Sequence, residues 1–347
     1  MKLPFALVGC GKIAAKHLRA LEALGEEIRV VAVVDPDRRA RQGVQEVLGV
    51  RGYESLEELV KKEKELKLVG LASPTGLHPA QAIRCAEAGV DVLMEKPLGT
   101  SFAAAEEMVR RFDELGRRLF VVKQLRFHPL FLALREAIRG GRFGRVHTVA
   151  MQLFWSRGQD YYDSAPWRGT REMDGGALMN QASHYVDLLD WLFGPVKRVH
   201  ALGGALGRRI EVEDTAVVTL EWEEGFLGSL HVTMLTYPQN LATSLTVIGS
   251  EGTVRLDGKA CDQVVAWEFA RSVPEDEEMA DLAARVGPTL ARGHERVYRE
   301  VLASLEGAAA EVVDGGAGLR SLAIIDAAYQ ALESGECRAV RSLSLTP

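Results

Sequence analysis

A chain of 347 residues is too long for one ordinary core and suits two domains. With 47% hydrophobic and 26% charged residues, its composition is that of an ordinary globular protein rather than a disordered or fibrous one. The net charge of −6 argues against a general affinity for nucleic acid or for an acidic membrane, while local basic spots could still hold an anionic ligand. No run of about 18 apolar residues is present to span a bilayer. The start, Met1-Lys2-Leu3-Pro4-Phe5, enters a strand-like run with no cleavable signal pattern. Cys10, Cys85, Cys261 and Cys337 are scattered without a CxxC pair, the usage expected of reduced thiols in a cytoplasmic protein. The eight histidines include no HExxH and no Cys/His cluster, so no metal is expected.

Through the first 120 residues short apolar runs alternate with amphipathic stretches. Phe5–Val8, Ile28–Val34, Leu68–Ala72, Val90–Met94 and Leu119–Val122 read as strands. Ile13–Leu24, Arg38–Leu48, Leu56–Glu65, Pro79–Ala88 and Phe102–Leu115 read as helices between them. Continuous apolar strands separated by helices predict a doubly wound parallel sheet covered on both faces. The rhythm then changes. A helix over Pro129–Arg139 stops at Gly140-Gly141, and Val146–Phe154 alternates polar with apolar residues. A loop rich in Trp, Tyr, Arg and Gly covers Trp155–Arg171, and apolar spacing predicts a helix over Gly176–Trp191. Arg198–Leu202, Thr215–Trp222, Leu227–Leu235, Thr243–Ile248 and Gly252–Asp257 read as strands, several of them alternating as antiparallel strands with one buried face do. Gly249-Ser250-Glu251-Gly252 reads as a hairpin turn, and helices follow over His294–Glu306 and Gly318–Glu333. The predicted class is α/β. Residues 1–123 form a nucleotide-binding domain, and residues 124–347 form an α+β domain around a large open mixed or antiparallel sheet.

Gly9-Cys10-Gly11-Lys12-Ile13-Ala14 is a G-x-G-x-x-A turn directly after the first strand and at the mouth of a helix. Gly9 permits the tight turn, Gly11 lets the backbone approach a pyrophosphate, and the helix N-terminus faces its charge. Asp35 ends the second strand, where its carboxylate would bond ribose hydroxyls. That carboxylate repels a 2′-phosphate, so NAD is expected in preference to NADP, although Arg38 and Arg39 stand close enough to compensate.

Four motifs carry a resemblance: the glycine-rich turn, Ser73-Pro74-Thr75 with His78, Glu95-Lys96-Pro97, and Gly175-Gly176-x3-Asn180-x3-His184-x2-Asp187. In order and spacing they resemble the glucose-fructose oxidoreductase and inositol dehydrogenase superfamily, Gfo/Idh/MocA, across both domains. Lys123–Pro129, Tyr161-Tyr162, Trp167–Thr170 and Ala177–Tyr185 resemble its WlbA/WbpB-type branch, which oxidises the 3″-hydroxyl of UDP-N-acetyl-glucosaminuronic acid for polysaccharide biosynthesis. The resemblance implies that Ser73, Pro74, Thr75 and His78 line the ribose and nicotinamide side. It implies that Glu95 and Gln124 flank the nicotinamide, and that Trp167 and Arg168 reach the cofactor from the second domain. It also implies a cis proline after Lys96 and assembly through the open sheet into a homodimer or homotetramer.

Lys96 lies at the carboxyl end of a parallel strand, where such sheets present ligands. His184 and Asn180, four residues apart, are expected on one helix face, with Asp187 able to orient the imidazole. Asn180 departs from the superfamily, which has Asp there. An amide can hold a sugar hydroxyl but supplies no charge. The expected chemistry has His184 as general base on the substrate hydroxyl and Lys96 stabilising the developing alkoxide; which of the two takes the proton first stays open. Arg157, Gln159, Tyr162 and Arg168 in the loop suit an anionic sugar nucleotide. Two alternatives remain: a dehydrogenase of a free polyol such as inositol, and a catalytically silent NAD sensor, against which Lys96 and His184 both speak.

Overall fold

The structure, a computed structural model, describes residues 2–343. The chain forms two compact units. One takes the chain up to Gln124 together with Arg292–Leu319; the other takes Leu125–Ala291 together with the chain from Arg320 on.

The first unit is a six-stranded parallel sheet of β1 (Leu3–Val8), β2 (Ile28–Val34), β3 (Arg51–Tyr53), β4 (Leu68–Leu71), β5 (Asp91–Met94) and β6 (Leu119–Val121), in the order β3-β2-β1-β4-β5-β6. Helices α1 (Ala14–Ala23), α2 (Arg38–Leu48), α3 (Leu56–Lys62), α4 (His78–Glu87) and α5 (Phe102–Glu114) connect its strands. Phe5, Ala6, Leu7, Val33, Leu68, Val69, Leu71, Val92, Leu93 and Met94 are fully buried, because helices cover both faces of a doubly wound sheet. The strand order reverses between β1 and β4, and ligands collect at the carboxyl ends beside such a switch. Gly9, Asp35, Ser73 and Glu95-Lys96 all follow strand ends there. Asp37 caps α2, its carboxylate accepting from the Arg39 and Ala40 N–H groups. The sequence gives no sign of β3, which has three residues, one of them Gly52, at the sheet edge.

Arg292–Leu319, expected in the second domain, belongs to the first unit. Its helix α10 (Gly293–Leu305) buries His294, Val297, Tyr298 and Val301, and the Tyr298 ring stands edge-on to Phe5 at 5.7 Å. Val121 N–H then donates to the Val313 carbonyl at 2.8 Å, lengthening the sheet past β6. The physical reason is the apolar face of α10, which the first core covers; periodicity announces such a face but not its partner.

The second unit is built on an eight-stranded sheet of β7 (Val146–Phe154), β8 (Val196–Gly204), β9 (Thr215–Trp222), β10 (Leu227–Thr233), β11 (Ala242–Gly249), β12 (Gly252–Asp257), β13 (Gln263–Phe269) and β14 (Arg338–Ala339), ordered β13-β12-β11-β7-β10-β9-β8-β14. β7 and β10 run parallel and the other neighbours antiparallel, so the sheet is mixed. Met151, Leu153, Val218, Leu220, Leu230, Val232, Leu245 and Val247 fill its buried side. Leu202, Val217, Leu227 and Ile248 stay exposed. Helices α6 (Pro129–Arg139), α7 (Gln159–Asp163), α8 (Ser183–Phe193), α9 (Met279–Ala291) and α11 (Gly315–Ser334) complete the chain; α11 begins in the first unit. Phe193 of α8 packs edge-on against Trp222 at 6.1 Å. The helix expected over Gly176–Trp191 is two pieces. Ala177–Gln181 is a wide π turn, closed by Ala182 N–H donating to the Ala177 carbonyl at 2.8 Å, and α8 starts after it. Such turns cost regular hydrogen bonding and gather at functional sites.

Candidate active site

In the first unit the glycine-rich turn is shaped by its neighbours. Gly9 has φ of +97°, and a Cβ there would lie 2.5 Å from the Ala72 carbonyl oxygen, so no other residue fits. Gly11 is exposed, and a Cβ on it would meet nothing within 4 Å; the open backbone leaves room for a pyrophosphate at the start of α1. Lys12 is exposed and Ile13 half-buried beside it. Asp35 braces the turn, one carboxylate oxygen accepting from Cys10 N–H at 2.7 Å and the other from Asp37 N–H at 2.8 Å. Arg38 and Arg39 are exposed. These features fit a dinucleotide.

After β4, Ser73 Oγ donates to Gln81 at 2.5 Å, with Pro74 half-buried and Thr75 buried. His78, expected to line the cofactor side, is instead 1% exposed. Its ring nitrogens lie 2.8 Å from the Pro97 carbonyl and 3.0 Å from the Ser73 carbonyl; the neutral ring donates to one of the two and packs against the other, between the loop after β4 and the loop after β5. Burial pushes its pKa down. Lys96 is half-buried, and its bond to Pro97 is cis. Gln124, half-buried, lies against Gly293.

Glu95, expected to flank the nicotinamide, turns its carboxylate inward. One oxygen accepts from His17 Nε2 at 3.1 Å and from His294 Nε2 at 2.9 Å; the other accepts from the Lys96 backbone N–H at 3.3 Å. Burial alone would raise its pKa, but the bonds from His17 and His294 hold it well below the usual carboxylate range. Where the sequence predicts no Cys/His cluster, the fold gathers His17, Glu95 and His294 with their donor atoms within 4.8 Å of one another. His17 was legible as a polar residue on the buried face of α1. Nothing in the sequence joins His294 to it across 277 positions.

The second unit holds His184 in the first turn of α8, half-buried, and Asn180 on the π turn before it, also half-buried. The wide turn replaces the regular spacing expected between them. Asn180 Nδ2 donates to Asp174, whose other oxygen accepts from Gly169 N–H at 2.7 Å. Asp174 is 1% exposed; no motif marks this buried carboxylate, which faces the position where the superfamily carries an acid. Asp187, expected to orient His184, receives two bonds from Arg126 at 2.8 and 2.9 Å. Glu213 accepts from Leu178 N–H at 2.8 Å and from the Tyr329 hydroxyl at 3.1 Å, while that hydroxyl accepts from Gly176 N–H at 3.0 Å. Burial pushes the Glu213 carboxyl up to about 7. The glycine pair before the π turn is thus held by a buried acid.

The aromatic loop is firmly built. Arg168 donates to the Tyr161 hydroxyl at 2.6 Å, its guanidinium 4.4 Å from the Tyr161 and Trp167 ring centres. Arg157 lies over Trp155 and Tyr161 at 5.3 and 5.6 Å. Both are half-buried cations. Gln159 differs from expectation: its amide oxygen accepts from Arg209 N–H at 2.9 Å and its nitrogen donates to Asp163 at 2.9 Å. Tyr162 is buried and packs edge-on to Tyr161.

Residues 3–123 match the oxidoreductase family with the NAD-binding Rossmann fold, and residues 131–255 match the GFO/IDH/MocA C-terminal domain. The WlbA dehydrogenase of Bordetella pertussis, solved with NADH and UDP-GlcNAcA, is 43% identical, with a TM-score of 0.96 over 98% of each chain. That of Chromobacterium violaceum, in the same kind of complex, is 44% identical, with a TM-score of 0.94 over 98% of this chain and 96% of that one. An inositol 2-dehydrogenase of Rubrobacter xylanophilus is 27% identical over 99% of this chain and 94% of its own length. The chain therefore belongs to the Gfo/Idh/MocA family, as an NAD-dependent dehydrogenase of sugars and polyols whose first unit carries the NAD-binding Rossmann fold.

Proposed function

We propose that the chain oxidises the 3″-hydroxyl of UDP-N-acetyl-glucosaminuronic acid to the 3-keto sugar, as a cytoplasmic step of nucleotide-sugar supply for polysaccharide synthesis. The observation that carries this reading is the 43% and 44% identity, over nearly the full chain, to dehydrogenases solved with that sugar nucleotide. The cations Arg157 and Arg168, pinned on aromatic rings, support it. Two phosphates and a carboxylate give the ligand charges that such groups bind, and remote binding energy orients the reacting hydroxyl.

Lys96 and His184 are the proposed catalytic residues. Bound NAD supplies the two-electron acceptor. His184 removes the hydroxyl proton, and Lys96 donates a hydrogen bond to the oxygen as charge develops there. Asn180, anchored by Asp174, holds a sugar hydroxyl. Gly9, Gly11, Lys12, Ile13, Asp35, Ser73, Pro74, Thr75 and Gln124 are the proposed NAD-binding residues, and Trp167 and Arg168 are proposed as further cofactor contacts. The half-exposed sheet face with Leu202, Val217, Leu227 and Ile248 suits a homodimer or homotetramer. Among the described residues, no helix is long and apolar enough to cross a membrane.

The test offers purified protein and NAD with UDP-N-acetyl-glucosaminuronic acid, UDP-N-acetylglucosamine, glucose and inositol, following NADH absorbance and the keto product by mass spectrometry. A ketone trap keeps an uphill oxidation visible. Turnover of the sugar acid alone is expected, and Lys96→Ala or His184→Ala should each lower it about 10²–10⁴-fold with NAD binding retained. Efficient oxidation of inositol with none of the sugar acid overturns the reading.

A further inference from the structure

Three elements distant in sequence send polar side chains to one buried place in the first unit. His17 comes from α1, Glu95 from the end of β5, and His294 and Tyr298 from α10. His17 is 0% exposed, Tyr298 1%, His294 5% and Glu95 6%. A buried carboxylate with no partner is costly. Here it has three donors: the two imidazole Nε2 atoms and the Lys96 backbone N–H. Behind it, the Tyr298 hydroxyl lies 2.9 Å from His17 Nδ1.

The protons balance in one way. Glu95 is ionised, so both Nε2 atoms carry hydrogen and donate to it. His17 Nδ1 is then bare and accepts from the Tyr298 hydroxyl, which burial keeps protonated. Burial likewise disfavours a second proton on His17. Separations of 2.9 and 3.1 Å to a single oxygen are those of N–H···O bonds, so hydrogen alone accounts for a geometry that could otherwise suggest a cation. Lys16 adds positive charge near His17, and His78 feels both Glu95 and Lys96.

We infer that His17, His294 and Tyr298 are positioning residues that lock the Glu95 carboxylate and, through its bond to the Lys96 N–H, fix the main chain from which the Lys96 side chain departs. Tyr298 acts one step further back, holding His17 in the tautomer that donates to Glu95. The chain returns to the first unit at Arg292, and this return supplies two of the four groups. The inference rests on the proposed role of Lys96.

Glu95→Gln, His294→Gln and Tyr298→Phe, with Lys96→Ala alongside, test it. In the full-length enzyme, kcat, KM, NAD affinity by intrinsic fluorescence, and thermal midpoint are measured together. Glu95→Gln and His294→Gln are expected to lower kcat about 10²-fold, the loss that a displacement of about 1 Å brings, with KM and NAD affinity little changed. Nitrogen-15 spectra of histidine-labelled protein should show His17 and His294 as Nε2–H tautomers, with the His17 Nδ1 signal shifted in Tyr298→Phe because that nitrogen loses its donor. That variant removes one hydroxyl and keeps the test open should Glu95→Gln not fold. Normal kcat in Glu95→Gln and His294→Gln beside an inactive Lys96→Ala overturns the inference alone. An active Lys96→Ala overturns the catalytic reading and the inference with it.

Discussion

Asn180 departs from the superfamily pattern, and its neighbour explains how the site accommodates the change. Its amide nitrogen donates to Asp174, which is buried and also holds Gly169 N–H. A carboxylate has no hydrogen to give, so Asn180→Asp would set two acids against each other and force one to take a proton. Turnover of that variant should fall, and more at pH 8 than at pH 6; a pH–rate profile parallel to wild type would contradict this account. Glu213 allows a sharper test. Burial pushes its folded pKa up to about 7, above the ordinary 4.5 of the unfolded chain. Between those values the folded state holds a proton that the unfolded chain has lost, so this group lowers stability as pH rises from 4.5 to 7. Glu213→Gln removes the dependence. Relative to wild type the variant should gain about 2 to 3 kcal/mol between pH 5 and pH 8 in urea unfolding. A difference that stays level across that range would mean the carboxyl ionises normally.

The glycine-rich turn was legible because its constraints are local: a strand end, two glycines and a helix start. Gly9→Ala forces a side chain into φ of +97° and onto the Ala72 carbonyl. It should weaken NAD binding at least tenfold and cost about 1–3 kcal/mol in stability, both read from a fluorescence titration and an unfolding curve. Near-normal NAD affinity would show that the turn relaxes. The parallel strands were equally legible, since double burial demands continuous apolar runs such as Ile28–Val34. Elements without such a demand escaped. β3 and β14 have three and two residues, and α9 contains Gly287-Pro288, which reads as a stop. The π turn escaped because its spacing differs from an α-helix by one residue over a single turn. The motif residues Lys96 and His184, proposed as catalytic, could be picked out. Their surroundings could not, because Tyr298 behind His17 and Asp174 beside Asn180 are set by tertiary packing.

Acid should unfold the protein through histidines rather than through surface ion pairs, which are mostly exposed and worth little each. His17 and His78 of the first unit and His128 of the second are almost fully buried, and burial lowers the pKa of all three. Their unfolded value is 6.5, so below it the unfolded chain binds protons that the folded chain refuses. Stability contributed by these neutral rings is complete above pH 6.5 and drains away as pH falls toward the folded values. His128 isolates the effect. It caps α6, its Nδ1 accepting from Leu130 N–H at 3.2 Å while Nε2 donates to the Ala260 carbonyl at 3.0 Å. A proton on Nδ1 would cancel the cap, and burial puts its pKa at about 4. His128→Asn keeps a capping oxygen but cannot titrate. It should lower stability at pH 7.5, where the ring fits its site, yet lose less on acidification. Between pH 6 and pH 5, its urea-unfolding free energy should fall by about 1 kcal/mol less than that of wild type, close to the 1.4 kcal/mol per pH unit of one proton. If the two curves descend in parallel over that range, the acid sensitivity of this fold lies elsewhere than in its buried imidazoles.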